Sequence, residues 1–578
     1  MNEADRSAQS TPAWPARTPL LAGLGLATGL TAHRIVEASG QNPGAVAIGW
    51  FSFVVVAAAV IGFTIDRPRG VASLLFGLGC GVIAGLIAAL NGPTESWSAS
   101  EGWRMVSGAL AIGIAAPLFQ ASTRQGRSWP SIAVQSVHDH AWTNAVLFAG
   151  SWVFVGIAFL LLLVVSELFH LIGIDLLRDW LRDNAVVAAL VGGAFGAGLG
   201  LLRDQERVVR LLQAVVRNVL AVLAPMLGAA LLIFLGALPF TGVDALWEAW
   251  GSAATLLLAC AVAALVLVDA VIGNAPEEEA RNRALRFGAI ALGIVMLPLA
   301  LLAAFAIGLR VHQYGITPDR LWAISFAALA SAYGLAYLVT LVRARTAWMA
   351  ALRRANLRLA IGTALFALLL ATPLAGFNAI AARDQVARLE SGRVSAERFD
   401  WTALRFDFGG PGRRALELLA RGPDKALSAR AAAALGQTSR YAAAQDAQRR
   451  ASTASMARRV RVLPAGTALP DGLRDRLADI GDCGFDTARC TVLFVSPREA
   501  LVLPDGCISG PATIAACDAT RLERNSGGWA VAPIRPVAGA GAAPGSLARD
   551  YRAGQLEVRR VERRQLFIGD QPVGAAFE

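Results

Sequence analysis

The chain has 578 residues, of which 55% are hydrophobic and only 16% charged, and a mean hydropathy of +0.51. Soluble domains carry about a quarter charged residues, so this composition excludes an ordinary soluble protein and points to long segments buried in a bilayer. The net charge of +11 comes almost entirely from Arg, because Lys425 is the only lysine; it follows Asp424, so no Walker A loop exists and no nucleotide chemistry is expected.

A bilayer core of about 30 Å takes roughly 20 apolar residues of helix, and about eleven runs approach that length. In chain order they are Leu20–Ile35, Gly44–Thr64, Val71–Leu90, Met105–Phe119, Trp142–Phe169, Val186–Leu202, Val219–Leu238, Ala253–Ile272, Ala284–Leu309, Leu321–Leu341 and Leu359–Ala379. The first is short enough to resemble the core of a signal peptide, but another apolar run comes directly after it and no small-residue cleavage site stands out. Trp50, Trp103, Trp142, Trp250 and Trp322 recur near the ends, as rings at headgroup depth do.

Alternate loops differ sharply in basic charge. One set holds Arg67, Arg69, Arg124, Arg127, Arg203, Arg207, Arg210, Arg217, Arg281, Arg283, Arg286, Arg343, Arg345, Arg353, Arg354 and Arg358. The other holds Arg34, Arg104, Arg178, Arg182, Arg310 and Arg320, so the count is sixteen against six. The positive-inside rule makes the richer set cytoplasmic. The amino terminus then lies inside, and everything beyond about Ala381 lies outside. These scattered arginines lack the aromatic interleaving of a single-strand groove, so the expected partner is the lipid bilayer and not nucleic acid.

The expected organisation is a cytoplasmic tail (1–19), an all-α transmembrane bundle (20–380), a helical extracytoplasmic segment (381–460) and a Cys-containing, β-rich extracytoplasmic domain (461–578). Charges spread evenly beyond Ala381, and no later run is long enough to span. Residues 384–459 are Ala- and Arg-rich with helical spacing. Cys490–Val495, Ala500–Leu503, Trp529–Ile534 and Gln565–Ile568 read as strands, which makes the outer part α+β.

Cys80 and Cys260 fall in spans, where a thiol behaves as a small apolar group. Cys483, Cys490, Cys507 and Cys517 all fall in the outer domain, and an even number in an oxidising compartment suggests two disulfides. Cys483 with Cys490 and Cys507 with Cys517 would close short loops, each contributing on the order of 2.5–3 kcal/mol. A four-thiolate zinc site is the rival, but neither spacing suits a zinc knuckle.

The five histidines are His33, His138, His140, His170 and His312. None lies in the outer domain, so His-based triads and His-ligated zinc are excluded there. Paired Asp400 and Asp407 are the remaining catalytic option, and nothing distinguishes them from helix-capping residues. The His138-Asp139-His140 run would need ligands from elsewhere to bind a metal. No catalytic residue, cofactor or metal site is therefore assigned. Glu167 and His170 share one helical face at the outer end of the fifth span, and Asp269 lies near the inner end of its own span with Arg281 and Arg283 available as partners. Intramembrane ionisable groups of this kind can mark ion paths.

In the loop Arg310–Arg320, Thr317 suits an N-cap, Pro318 the first helical position and Asp319 the first turn, while Gly315 suits a tight turn. The roles of Tyr314 and Arg320 are left open. This stretch, Tyr314 to Trp322 (YGITPDRLW), resembles the hallmark of a bacterial membrane family, domain of unknown function 4153. The segment Phe399-Asp400-Trp401 with Leu404-Arg405-Phe406-Asp407, and then a Gly-rich turn into Arg413 and Arg414, is similar to the segment after the last span in members of that family. The resemblance extends over about the first 420 residues. It implies a polytopic inner-membrane protein of Gram-negative type and brings no activity.

Two functional readings compete. In the first, the spans anchor a disulfide-bonded periplasmic domain that binds a cell-envelope component, because a His-free, stapled domain suits binding better than catalysis. In the second, the bundle is a secondary transporter of a small solute that uses Glu167, His170 and Asp269. Against it, no internal repeat or matched pair of Gly/Pro-broken spans is found.

Overall fold

The computed structural model describes residues 14–40, 42–125, 134–242, 253–442, 444, 459–478, 489–504, 520–526, 528–532, 564–568 and 571–577. The chain divides into two compact units, Met1–Leu435 and Gly436–Glu578.

The first unit contains α1 (Arg17–Ser39), α2 (Ala45–Thr64), α3 (Gly70–Leu90), α4 (Ala99–Gln125), α5 (Val134–Leu171), the short α6 (Leu176–Arg182), α7 (Asn184–Asp204), α8 (Glu206–Thr241), α9 (Ala253–Ile272), α10 (Arg283–Tyr314), α11 (Pro318–Ala344) and α12 (Trp348–Ala371). Ten of them, α2 to α5 and α7 to α12, are long and apolar enough to cross a membrane. The Val-rich run in α2 is helical despite its β-branched side chains. Hydrocarbon offers no partner for an open backbone, so the chain satisfies its own N–H and C=O groups.

The first helix is less apolar, and small residues hold it in place. Down its length Thr18, Leu21, Gly25 and Gly29 meet Gly200, Gly196, Gly192 and Ala188 of α7, so the two helices run antiparallel with their backbones touching. A Cβ on Gly192 would lie 2.1 Å from the Gly25 carbonyl oxygen, so glycine is required at this crossing.

Polar groups tie the helix ends together. At one end Arg17 pairs with Asp204 (3.2 Å) and Asp66 (3.6 Å), and Arg203 donates to the carbonyls of Gly62 (2.7 Å) and Ile65 (2.9 Å). Arg217 pairs with Glu278, and Arg353 with Glu279 at 2.8 Å, at this same basic end. The largest core runs through α8 to α12, built on Leu292, Met296, Leu299, Val268 and Tyr337.

The last span stops at Ala371, before Pro373 and not at Ala379 as its apolar run suggested. A separate helix, α13 (Phe377–Glu390), comes next, then α14 (Trp401–Phe406), α15 (Gly409–Ala420) and α16 (Lys425–Leu435). These four have their own core of Ala381, Leu389, Phe399, Leu404, Phe408 and Leu416, yet they group with the bundle.

In the second unit, β1 (Val460–Leu463) is succeeded by α17 (Asp471–Ala478), β2 (Cys490–Ser496), β3 (Glu499–Pro504), β4 (Thr520–Asn525) and β5 (Gly528–Ala532). The sheet order is β1-β2-β3-β4-β5; β1 and β2 are parallel and the rest antiparallel. Leu473 and Leu477 of α17 pack on Cys490, Val492, Val502, Leu522 and Trp529. A hairpin of β6 (Arg564–Ile568) and β7 (Gln571–Phe577) forms a second sheet. The strands expected at Cys490, Ala500, Trp529 and Gln565 are present, whereas β1, β4 and β7 were not foreseen.

Candidate functional site

The loop between α10 and α11 is gripped from the side by α13. The Ile316 amide donates to Asp384 Oδ2 (2.7 Å), and Gln385 Nε2 donates to the carbonyls of Tyr314 (3.1 Å) and Ile316 (3.0 Å). Arg388 donates to the Gln313 carbonyl at 3.0 Å. The loop end of α10 therefore has its exposed carbonyls satisfied by side chains from about seventy residues later.

The residues singled out in this loop each have a place. Thr317 Oγ1 accepts from the Arg320 amide, as an N-cap does, and Pro318 and Asp319 open α11. Gly315 has φ +79° and ψ −174°, and a Cβ there would lie 2.6 Å from Arg388 Cδ and Gln385 Nε2. Arg320, whose role was open, donates to the Gly315 carbonyl (2.5 Å) and lies 5.6 Å from the Tyr314 ring.

The second stretch meets the first through α13. Ile316 packs against the core that holds Phe399, Leu404 and Phe408. Trp401 stacks edge-on against Phe399 (4.8 Å) and donates to the Ala396 carbonyl (2.9 Å); Asp400 caps α14, and the Asp407 amide closes it onto Ala403. Arg405 lies over the Phe406 ring at 5.1 Å, with its Nε buried and unpaired. Burial and the neighbouring Arg413 hold its guanidinium below the usual range. Asp400 thus serves as a helix cap, while Asp407 ends the same helix through its backbone amide.

A family model described as "Domain of unknown function (DUF4153)" matches residues 44–408, more than half of the chain. The chain belongs to the DUF4153 family. No curated protein and no solved structure matches it. The Tyr314–Trp322 stretch and the Phe399–Asp407 part of the second stretch lie inside the matched region, while the Gly-rich turn into Arg413 and Arg414 lies just beyond it.

A second knot lies beside this grip in the DUF4153 chain. Glu101 is buried in the first turn of α4, where Oε2 accepts from the Ser98 amide (2.8 Å) and hydroxyl (2.5 Å), a capping box. Its Oε1 accepts from Asn378 of α13 (2.8 Å), with Arg104 3.8 Å away. Ser100 accepts from Trp322 Nε1 (3.0 Å), and Trp322 packs edge-on to Phe377. Neither Glu101 nor Asn378 is among the candidates taken from the sequence. The Ser98-x-x-Glu101 pattern announces the cap, but Asn378 carries no such signal.

Near the basic end, Asp269 Oδ1 accepts from Asn356 Nδ2 (2.6 Å) and Tyr337 Oη (3.2 Å). Its partners are these two and not Arg281 or Arg283, which were available by sequence and lie beyond the end of α9. Arg353 instead donates to the Ile272 carbonyl (2.9 Å) and pairs with Glu279. Asp269, Asn356, Tyr333, His138 and Trp142 line one cavity of about 370 Å³. His138, Asp139 and His140 sit within α5, where Asp139 is bonded to Asn274 and His140 lines a different cavity from His138.

The other two intramembrane candidates, Glu167 and His170, do not line the Asp269 cavity. His170 lies 2.6 Å from Asp175 and 3.0 Å from Arg178 in an exposed cluster where α5 meets α6, and Glu167 is exposed one turn earlier. Among the described residues no three His, Cys, Asp or Glu are grouped to hold a metal ion. The free thiols among them are Cys80 and Cys260. Cys490 starts β2 and is buried; Cys483, Cys507 and Cys517 lie outside the described residues.

Proposed function

We propose that this DUF4153 protein is an eleven-span inner-membrane protein whose bundle holds an outer helical platform, and with it a periplasmic, disulfide-bonded domain that binds a cell-envelope component. The observation that carries this reading is the grip of α13 on the bundle. Asn378, Asp384, Gln385 and Arg388 spend four side chains on joining the platform to α4 and the α10–α11 loop. A bundle that served only to conduct a solute has no need of such a mount.

The uneven arginine count supports a cytoplasmic amino terminus and an outer platform. Reporter fusions after Arg345 and after Arg393 are expected to score as cytoplasmic and periplasmic respectively; a common compartment contradicts the scheme. Pairing of Cys483 with Cys490 and of Cys507 with Cys517 is supported by the even number of cysteines in the carboxy-terminal part and by the short loops these pairs would close. Mass-tagging of denatured, unreduced protein is expected to label Cys80 and Cys260 alone. Six labels would mean reduced cysteines or an inverted orientation.

The second reading, transport of a small solute, is favoured by the Asp269 carboxylate in the wall of a cavity among the spans. Deleting Gly436–Glu578 separates the two. On the platform reading the truncated chain inserts but fails to rescue the phenotype of a null strain, while Glu167→Gln and Asp269→Asn chains rescue it. Full rescue by the truncated chain removes the binding reading.

A further inference from the structure

The cavity between α5, α9, α11 and α12 is one-sided in its hydrogen bonding. Asp269 uses Oδ1 for both of its donors, so Oδ2 has none among the described residues. Asn356 donates through Nδ2 to Asp269, and its own Oδ1 is buried without a partner. His138 Nε2 is buried without a partner too. Two of these three atoms can only accept, and the imidazole nitrogen accepts in one tautomer.

The charge is also unmatched. Arg353 lines the same cavity, but its guanidinium is spent on Glu279 and the Ile272 carbonyl. That leaves Asp269 as a carboxylate without a cation, and a buried polar group in that state is costly. The remaining wall is apolar or aromatic, with the Trp142 and Tyr333 rings. Its volume of about 370 Å³ is far more than a bare inorganic ion fills, and within the range of small-molecule sites.

We propose that this cavity binds a small organic cation, a protonated amine with an apolar body. The ammonium donates to Asp269 Oδ2, Asn356 Oδ1 and His138 Nε2, and the alkyl part lies against the aromatic wall, where a cation is also favoured by the ring faces. An anion would meet the Asp269 charge, and a neutral ligand would leave it unmatched. The inference goes beyond the platform reading and holds whether or not the bound amine crosses the membrane.

The test uses the full chain purified in detergent, with n-butylammonium as probe and 1-butanol and equimolar sodium chloride as controls. The expected result is a saturable rise in melting temperature with n-butylammonium alone, its half-saturation shifted at least tenfold by Asp269→Asn. Should that variant fail to fold, Ala360→Phe, which fills the cavity and keeps the carboxylate, is expected to give the same tenfold weakening. An equal rise with either control, no rise with the amine, or unchanged affinity in the folded variant overturns the proposal. Absence of any rise would mean that Asp269 is satisfied by a proton.

Discussion

Replacing Gly192 by alanine is expected to destabilise the bundle by about 1–3 kcal/mol, the range for overpacking, while the same change at Gly193 leaves it unaffected or slightly more stable. The two glycines are adjacent on α7 and equally apolar, so composition and helix propensity predict the same outcome for both. Packing separates them. A Cβ at position 192 would sit 2.1 Å from the backbone oxygen of Gly25, and backbone cannot swing aside. At position 193 the nearest atom is Leu26 Cβ at 3.6 Å, an ordinary contact. Alanine there gains helix propensity of up to about 1 kcal/mol. Thermal unfolding of the two variants in the same detergent gives the comparison directly, and equal melting temperatures would remove the close α1–α7 crossing from the account.

Gly315→Ala is expected to have a comparable effect by a different route. With φ +79° and ψ −174° this residue occupies a region open essentially to glycine alone, which costs another residue about 1–3 kcal/mol. The added Cβ also pushes on Arg388 and Gln385, the two side chains that hold the loop carbonyls. The loss should fall on the join between loop and platform and leave the spans inserted. Limited proteolysis of the chain in lipid nanodiscs, where both faces are open to protease, is the readout: cleavage between Phe377 and Leu435 should accelerate while the bundle stays intact. Unchanged cleavage would mean that the loop conformation is not what seats α13.

Much of the membrane half was legible because a bilayer imposes one requirement, a long apolar helix, and leaves its mark as a continuous run. The end of the last span was misplaced by eight residues because Leu374, Phe377 and Ile380 keep the apolar run going past Pro373, where the backbone breaks. α13 was harder to foresee, since its sequence FNAIAARDQVARLE is polar enough to pass for a solvated helix and its partners lie about seventy residues back. In β4 only Leu522 is buried among charged and polar neighbours, so alternation gives no signal; its position is set by pairing with β3 and β5.

The same contrast holds for the candidate sites. The start signals of Thr317, Pro318 and Asp319 are local chemistry, readable from neighbours in the chain, and the structure uses them as read. Asp269 was noticed as an ionisable residue in a span, but its partners Tyr337 and Asn356 are 68 and 87 residues away, and ordinary sequence gives them no mark. Arg281 and Arg283 were favoured by charge and proximity in sequence. A neutral pair took their place, because Arg281 and Arg283 lie beyond the end of α9, whereas Tyr337 and Asn356 stand on helices packed beside Asp269.

The central claim is that the α10–α11 loop, the span ends and the helices α14 to α16 form one mount through α13, and amide hydrogen exchange of the full chain in lipid nanodiscs tests it most directly. The Ile316 amide has Asp384 as its acceptor at 2.7 Å, so it should exchange slowly in the native protein and become fast in Asp384→Ala. On this account the same substitution raises exchange across residues 377–435 together, while the cores of α10 and α11 keep their protection. If the Ile316 amide becomes fast and residues 377–435 remain as protected as before, the platform stands without the grip, and the claim is wrong.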